Sequence, residues 1–88
     1  LPIDTLKIDG SFIKGLGQKQ ANDGIVQSII TLGKSLNMLL VAECVETQEQ
    51  LNILKNMQCD IIQGYLFSKP LSMDDATKFI ASKEHKYK

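Results

Sequence analysis

Cysteine is scarce in this chain. Its two examples, Cys44 and Cys59, are too few and too irregularly placed for a disulfide framework, and no CxxC pair marks a zinc or redox site. A reducing cytoplasm fits that usage, either for a free protein or for the cytoplasmic part of a membrane-bound parent. Excess charge of one sign is also lacking. Ten basic residues balance ten acidic ones, so there is no electrostatic case for nucleic acid or an anionic membrane as partner. No apolar run approaches the roughly 20 residues needed to cross a bilayer, so no membrane contact is expected of this segment. Neither GxGxxG nor GxxxxGK[ST] occurs, which removes the usual support for a nucleotide-binding doubly wound sheet. There is no low-complexity stretch, and no repeat beyond an alternation of strand-like and helix-like segments.

What is present is a soluble, globular composition, 43% hydrophobic, in 88 residues. That length is small for the pattern it carries. A chain of this size buries a limited fraction of its surface, and an all-parallel sheet needs cover on both faces, so the segment reads as a piece of a larger unit.

Leu6 and Ile8 alternate with Lys7 and Asp9 in an opening strand with one polar face. The stretch from Gly10 to Gly17 holds three glycines and reads as a loop, with Phe12, Ile13 and Leu16 tucked inward. Asn22 or Asp23 can cap a helix in which Ile25, Ile29, Leu32 and Leu36 form the expected buried stripe, with Asn37 as its stop. Gly33 lowers helix propensity there by about 1 kcal/mol relative to alanine, which points to close packing against a neighbour. Met38 to Ala42 is a continuous apolar run, as expected of a strand covered on both faces, and Glu43 breaks it. Thr47-Gln48-Glu49-Gln50 matches a capping box before a helix ending at Asn56. Ile61-Ile62-Gln63 forms a third strand, and Ser72 caps a last helix with Asp74 and Asp75 at its positive end. The order is βαβαβα, three βα units, followed by a mildly basic tail at residues 83–88.

Three polar residues therefore follow apolar strand runs: Lys7, Glu43 and Gln63. In a parallel α/β architecture the carboxyl ends of the strands converge on one rim, so these three become neighbours. A lysine, a carboxylate and an amide on one rim suit an anionic substrate activated by a divalent metal. Lysine neutralises charge and orients water, glutamate binds metal or accepts a proton, and glutamine fixes a water or ligand. Taken singly, each is equally a solvated rim residue.

The wording around them narrows the reading: Leu6-Lys7-Ile8-Asp9, Val41-Ala42-Glu43-Cys44-Val45-Glu46-Thr47, and Gln63-Gly64-Tyr65-Leu66-Phe67 with Pro70. Together these segments resemble the EAL family, from Leu1 to about Ile80. The resemblance implies a cyclic di-GMP phosphodiesterase built as a modified TIM barrel. It places residues 1–82 as the C-terminal three βα units of that α/β, TIM-like barrel, incomplete as an isolated chain. The family's Glu-Ala-Leu signature and its acidic Asp-Asp pair lie outside these residues, and most metal ligands with them.

By position, Lys7 resembles the family's active-site lysine, which helps place the attacking water and counter charge on the scissile phosphate. Glu43 resembles the carboxylate implicated in Mg²⁺ or Mn²⁺ coordination or in general-base activation of water. Gln63 resembles the glutamine that hydrogen-bonds within the same cluster. Asp9 and Glu46 match supporting positions. Asp9 lies two residues beyond Lys7 and is expected to orient it, while Glu46 organises the loop or serves the first turn of the next helix. Tyr65 and Pro70 either border a guanine or only shape their loop. One departure stands out: Cys44 occupies a position where the family usually has glycine. If that position needs a positive φ, cysteine would cost about 1 kcal/mol or more and alter the tilt of Glu43; otherwise it is a tolerated small residue.

The leading expectation is metal-dependent hydrolysis of cyclic di-GMP to linear pGpG by the complete domain, with a sensory or cyclase domain upstream. Two alternatives stand beside it: an inactive EAL-type module that binds cyclic di-GMP or a protein, and an inactive fragment that self-associates. Three parallel strands cut from a barrel leave open edges, which favour a homodimer or strand exchange.

Overall fold

In a computed structural model, which describes residues 3–18, 20–64 and 69–86, the chain forms an α/β unit with its helices packed on one side of a sheet. The elements run β1 (Thr5–Ile8), α1 (Gly10–Ile13), α2 (Gln20–Ser35), β2 (Leu39–Val45), α3 (Gln48–Asn56), β3 (Ile61–Gly64), β4 (Leu71–Ser72) and α4 (Met73–Lys86). The described strands form one sheet in the order β1-β2-β3-β4. β1, β2 and β3 are parallel, as expected of βα units, while β4 pairs antiparallel with β3 through Ile61↔Ser72 and Ile62↔Leu71. This two-residue β4 was not expected, because it is too short to show any alternation.

Register explains the core. Ile8 pairs with Ala42 and Ala42 with Ile62, while Leu6 pairs with Leu40. Because strand side chains alternate between faces, these residues share one face. Ile8, Leu40, Ala42 and Ile62 are buried there against Val26 and Ile30 of α2, Leu51 and Leu54 of α3, and Ala76 and Ile80 of α4. Deleting the larger of these side chains would cost about 2–5 kcal/mol each. Gly33 is justified by closeness: a Cβ there would lie 2.8 Å from Leu40 Cδ1 and 3.2 Å from Leu6 Cδ2. Even alanine would require the Leu40 side chain to move or α2 to shift.

The buried stripe of α2 is Val26, Ile30 and Gly33, one step round the helix from the expected residues. Ile29 is half-buried, whereas Ile25, Leu32 and Leu36 are 46%, 58% and 62% exposed. The helix carries apolar residues over a wide arc, so periodicity fits two stripes equally well. Close approach at Gly33 selects the one that meets the sheet.

Helix ends follow local chemistry. Asn37 stops α2 with a φ of 59°, and Met38 N donates to Gly33 O at 2.9 Å while Asn37 N donates to Lys34 O at 3.0 Å. That is a Schellman motif, and Gln58 (φ 69°) closes α3 in the same way. The capping box is formed, with Gln50 N donating to Thr47 Oγ1 at 3.1 Å. Ser72 Oγ accepts from Asp75 N at 3.1 Å, capping α4. α2, by contrast, begins at Gln20, before either expected cap, and Asp23 instead accepts from Gly17 N at 3.0 Å, tying the preceding loop to the helix.

Candidate functional site

The second face of the sheet carries the polar residues. Lys7 pairs with Val41 and Val41 with Ile61. Alternation then places Lys7, Val41, Glu43, Ile61 and Gln63 on that face, opposite the helix-packed core. Each polar residue lies inside its strand rather than after it: Lys7 within β1, Glu43 within β2 and Gln63 within β3. β2 continues through Glu43 to Val45 because a polar side chain on the face away from the helices does not interrupt the ladder. Lys7 is exposed, and Glu43 and Gln63 are half-buried. Adjacent strands lie about 5 Å apart, so Glu43 stands beside Gln63, and the long Lys7 side chain lies within a residue or two of both along the strands.

A bulge shapes this cluster. Ala42 pairs with Ile62 and Val45 with Gly64, so Glu43 and Cys44 together oppose Gln63 alone. Cys44 is the extra residue, and its φ is 60°. A non-glycine residue in this left-handed region costs about 1 kcal/mol or more. The condition anticipated for strain at Cys44 is therefore met. Across the bulge Gly64 has a φ of 113°, and a Cβ there would stand 2.8 Å from both N and O of Val45. Backbone approaches backbone at that point, which only glycine permits. On the other side of β2, Gly10 opens α1, and a Cβ on it would lie 2.7 Å from both Cβ and Sγ of Cys44.

Asp9 and Glu46 both engage the turns next to them. Asp9 caps α1, its Oδ2 accepting from Ser11 N at 2.9 Å, and hydrogen bonding from the Ser11 hydroxyl first and from its N–H second lowers the carboxyl pKa from its ordinary value. The carboxylate is thus engaged with the first turn of α1 rather than with Lys7. Glu46 organises the strand-end loop through its backbone: its N–H donates to Gln50 Oε1 at 2.8 Å, and Thr47 N donates to the same oxygen at 3.2 Å. Gln50 therefore serves as helix cap and also ties down the turn following Glu43, a role that its place in the capping box does not reveal. Pro70 is exposed beside β4, and Tyr65 lies outside the described residues. Cys59 belongs to the core, hydrogen-bonded at 3.5 Å to the carbonyls of Leu40 and Ile61, and burial pushes its thiol pKa up to about 11.

Among the described residues no group of three or more His, Cys, Asp or Glu side chains could hold a metal ion. On the strand face, Glu43 offers one carboxylate. Likewise, no described helix is long and apolar enough to cross a membrane.

Parallel strands with helices on one face and Lys, Glu and Gln gathered on the other define a segment of a TIM-like barrel with its polar cluster near the strand ends. Comparison with known proteins gives the family. The EAL domain family model matches residues 1–70, and the chain belongs to that family. It is similar to the cyclic di-GMP phosphodiesterase NbdA of Pseudomonas aeruginosa, 42% identical over 80 residues that make up 91% of this chain and 10% of that protein. Among solved structures it resembles the PaMucR phosphodiesterase in complex with c-di-GMP, with a TM-score of 0.70 and 38% identity over 86% of this chain and 31% of that one. It also resembles the EAL domain of Mycobacterium smegmatis DcpA, with a TM-score of 0.70 and 39% identity over 93% of this chain and 37% of that one. The chain therefore spans about a tenth of the curated relative and about a third of the solved EAL chains.

Proposed function

We propose that residues 1–82 form the C-terminal portion of one EAL domain that hydrolyses cyclic di-GMP to linear pGpG, and that Lys7, Glu43 and Gln63 contribute to its active site. One observation carries the reading: the three residues fall on one face of three adjacent parallel strands, opposite the helix-packed core. The Lys7 ammonium offsets charge on the scissile phosphate and on the developing transition state. Glu43 binds a cation or accepts the proton of the attacking water, and Gln63 holds the carboxylate or the water in place by hydrogen bonding. Mg²⁺ or Mn²⁺ would supply charge neutralisation and water activation, with its remaining ligands drawn from outside these 88 residues.

The test is Mn²⁺-dependent hydrolysis of cyclic di-GMP by the domain that contains this chain, wild type against Glu43→Gln. Turnover in the wild type should fall by at least roughly 10²-fold in the variant, with an unchanged thermal midpoint. Binding without turnover in the wild type would refute hydrolysis and make the domain a receptor.

A second reading concerns the isolated 88-residue chain, proposed to be inactive and to self-associate. It is favoured by the exposure of Ile25, Leu32 and Leu36 along α2 and by β1, which pairs only with β2 among the described strands.

A further inference from the structure

We infer that Gly10 and Cys44 are a coupled positioning pair that sets the Glu43 carboxylate relative to Lys7, an inference that rests on the proposed reading of those two residues as part of the reacting site. Gly10 opens α1 two residues after β1 ends its run through Lys7 and Ile8. Cys44 directly follows Glu43 and is the extra residue of the bulge, at a φ of 60°. The two meet face to face: a Cβ on Gly10 would lie 2.7 Å from Cys44 Cβ, 2.7 Å from its Sγ and 3.7 Å from Glu43 O.

A thiol can rotate away from such a contact, but a Cβ is fixed to its backbone. Any side chain at position 10 must therefore displace the Cys44 main chain or lift α1 off β2. The main chain gives first, because register is broken between Ala42 and Val45 while the ladder on either side is paired. Glu43 lies inside that break, so the displacement tilts its carboxylate. Removing the Cys44 side chain leaves Glu43 O at 3.7 Å as the nearest atom, an ordinary contact. Alanine at position 10 is then accommodated, and as the better helix former it favours α1. The same substitution at position 10 thus has opposite consequences depending on residue 44. Neither residue touches the reacting atoms; both act through Glu43.

The experiment uses the full-length protein in four forms: wild type, Gly10→Ala, Cys44→Gly and the double variant. Each is measured for kcat and KM with cyclic di-GMP and for thermal midpoint. Gly10→Ala should lower kcat by on the order of tenfold or more, with KM changed far less, since misplacing a catalytic group penalises the chemical step. In the Cys44→Gly background the same change should leave kcat within about threefold and should hold or raise the midpoint, because contacting residues couple. An equal kcat loss in both backgrounds, or no effect in either, overturns the pair. Absence of turnover in the wild type refutes the hydrolase reading instead. The midpoints then decide the pair alone: a sign reversal between backgrounds retains it, and additive effects reject it.

Discussion

Replacing Gln50 separates the two jobs that one buried amide performs. Gln50 is 7% exposed, and its Oε1 accepts from Glu46 N at 2.8 Å and from Thr47 N at 3.2 Å. Gln50→Ala strands both donors. Each lost hydrogen bond is worth about 1 kcal/mol when water can partly replace it, as it can at the exposed Glu46 and Thr47, and up to about 3 kcal/mol when it cannot. Adding the lost packing of the side-chain stem gives a destabilisation of about 2–3 kcal/mol. Gln50→Glu keeps the shared acceptor and places a negative charge in the first turn of α3, where the helix dipole favours it by about 0.3–1 kcal/mol. Its net change should stay within about 0.5 kcal/mol of zero. Urea denaturation of the domain that contains the chain measures both, as a shift in midpoint at unchanged slope. A Gln50→Ala variant within 0.5 kcal/mol of wild type, or a Gln50→Glu variant as unstable as Gln50→Ala, would refute the assignment of both roles to that one oxygen.

Cys59 carries a pH signature. Its thiol is raised from 9.0 to about 11 by burial, so the folded state favours the neutral form. The associated stability is complete below pH 9 and is lost as pH rises towards 11, by up to about 3 kcal/mol. Midpoints followed from pH 8 to 11 should fall more steeply in the wild type than in Cys59→Ala, and parallel curves would contradict this. At pH 8 in the native state, a thiol reagent should modify Cys44, which is exposed, and spare Cys59. The isolated 88-residue chain should elute with a mass above that of a monomer in light-scattering chromatography, and Leu32→Lys with Leu36→Lys should shift it towards monomer; a strictly monomeric wild-type chain would remove the self-association proposal.

The legibility of this chain depended on how local each feature was. The Thr47–Gln50 box and the Ser72 cap are set by residues three apart, so the sequence shows them directly. The stop at Asn37 was readable for the same reason. The face of α2 was not, because burying Val26 and Ile30 rather than Ile25 and Leu32 depends on where Leu6 and Leu40 sit, and no local pattern encodes that. The short helix α1 hid among the three glycines between positions 10 and 17, yet Asp9 caps it. In the candidate site, Lys7, Glu43 and Gln63 were singled out from their motifs, and strand register places them on one face. Their support was not legible: Gly10 against Cys44, Gly64 against Val45, and Gln50 holding Glu46 all arise from strand pairing or turn geometry that brings distant or differently assigned residues together.

The bulge in β2 makes chain length itself a determinant of chemistry. Because two residues of β2 stand opposite one of β3, Val45 returns to the helix-packed side after Glu43 has faced the other way. Deleting Cys44 would restore an unbroken ladder with Glu43 opposite Gln63 and Val45 still opposite Gly64, so the core would keep Val45 while the local bend and added twist that the bulge imposes beside Glu43 would be lost. A one-residue gap at this point in a related sequence is therefore not neutral variation in a loop. It signals a rebuilt rim, whatever residues flank it.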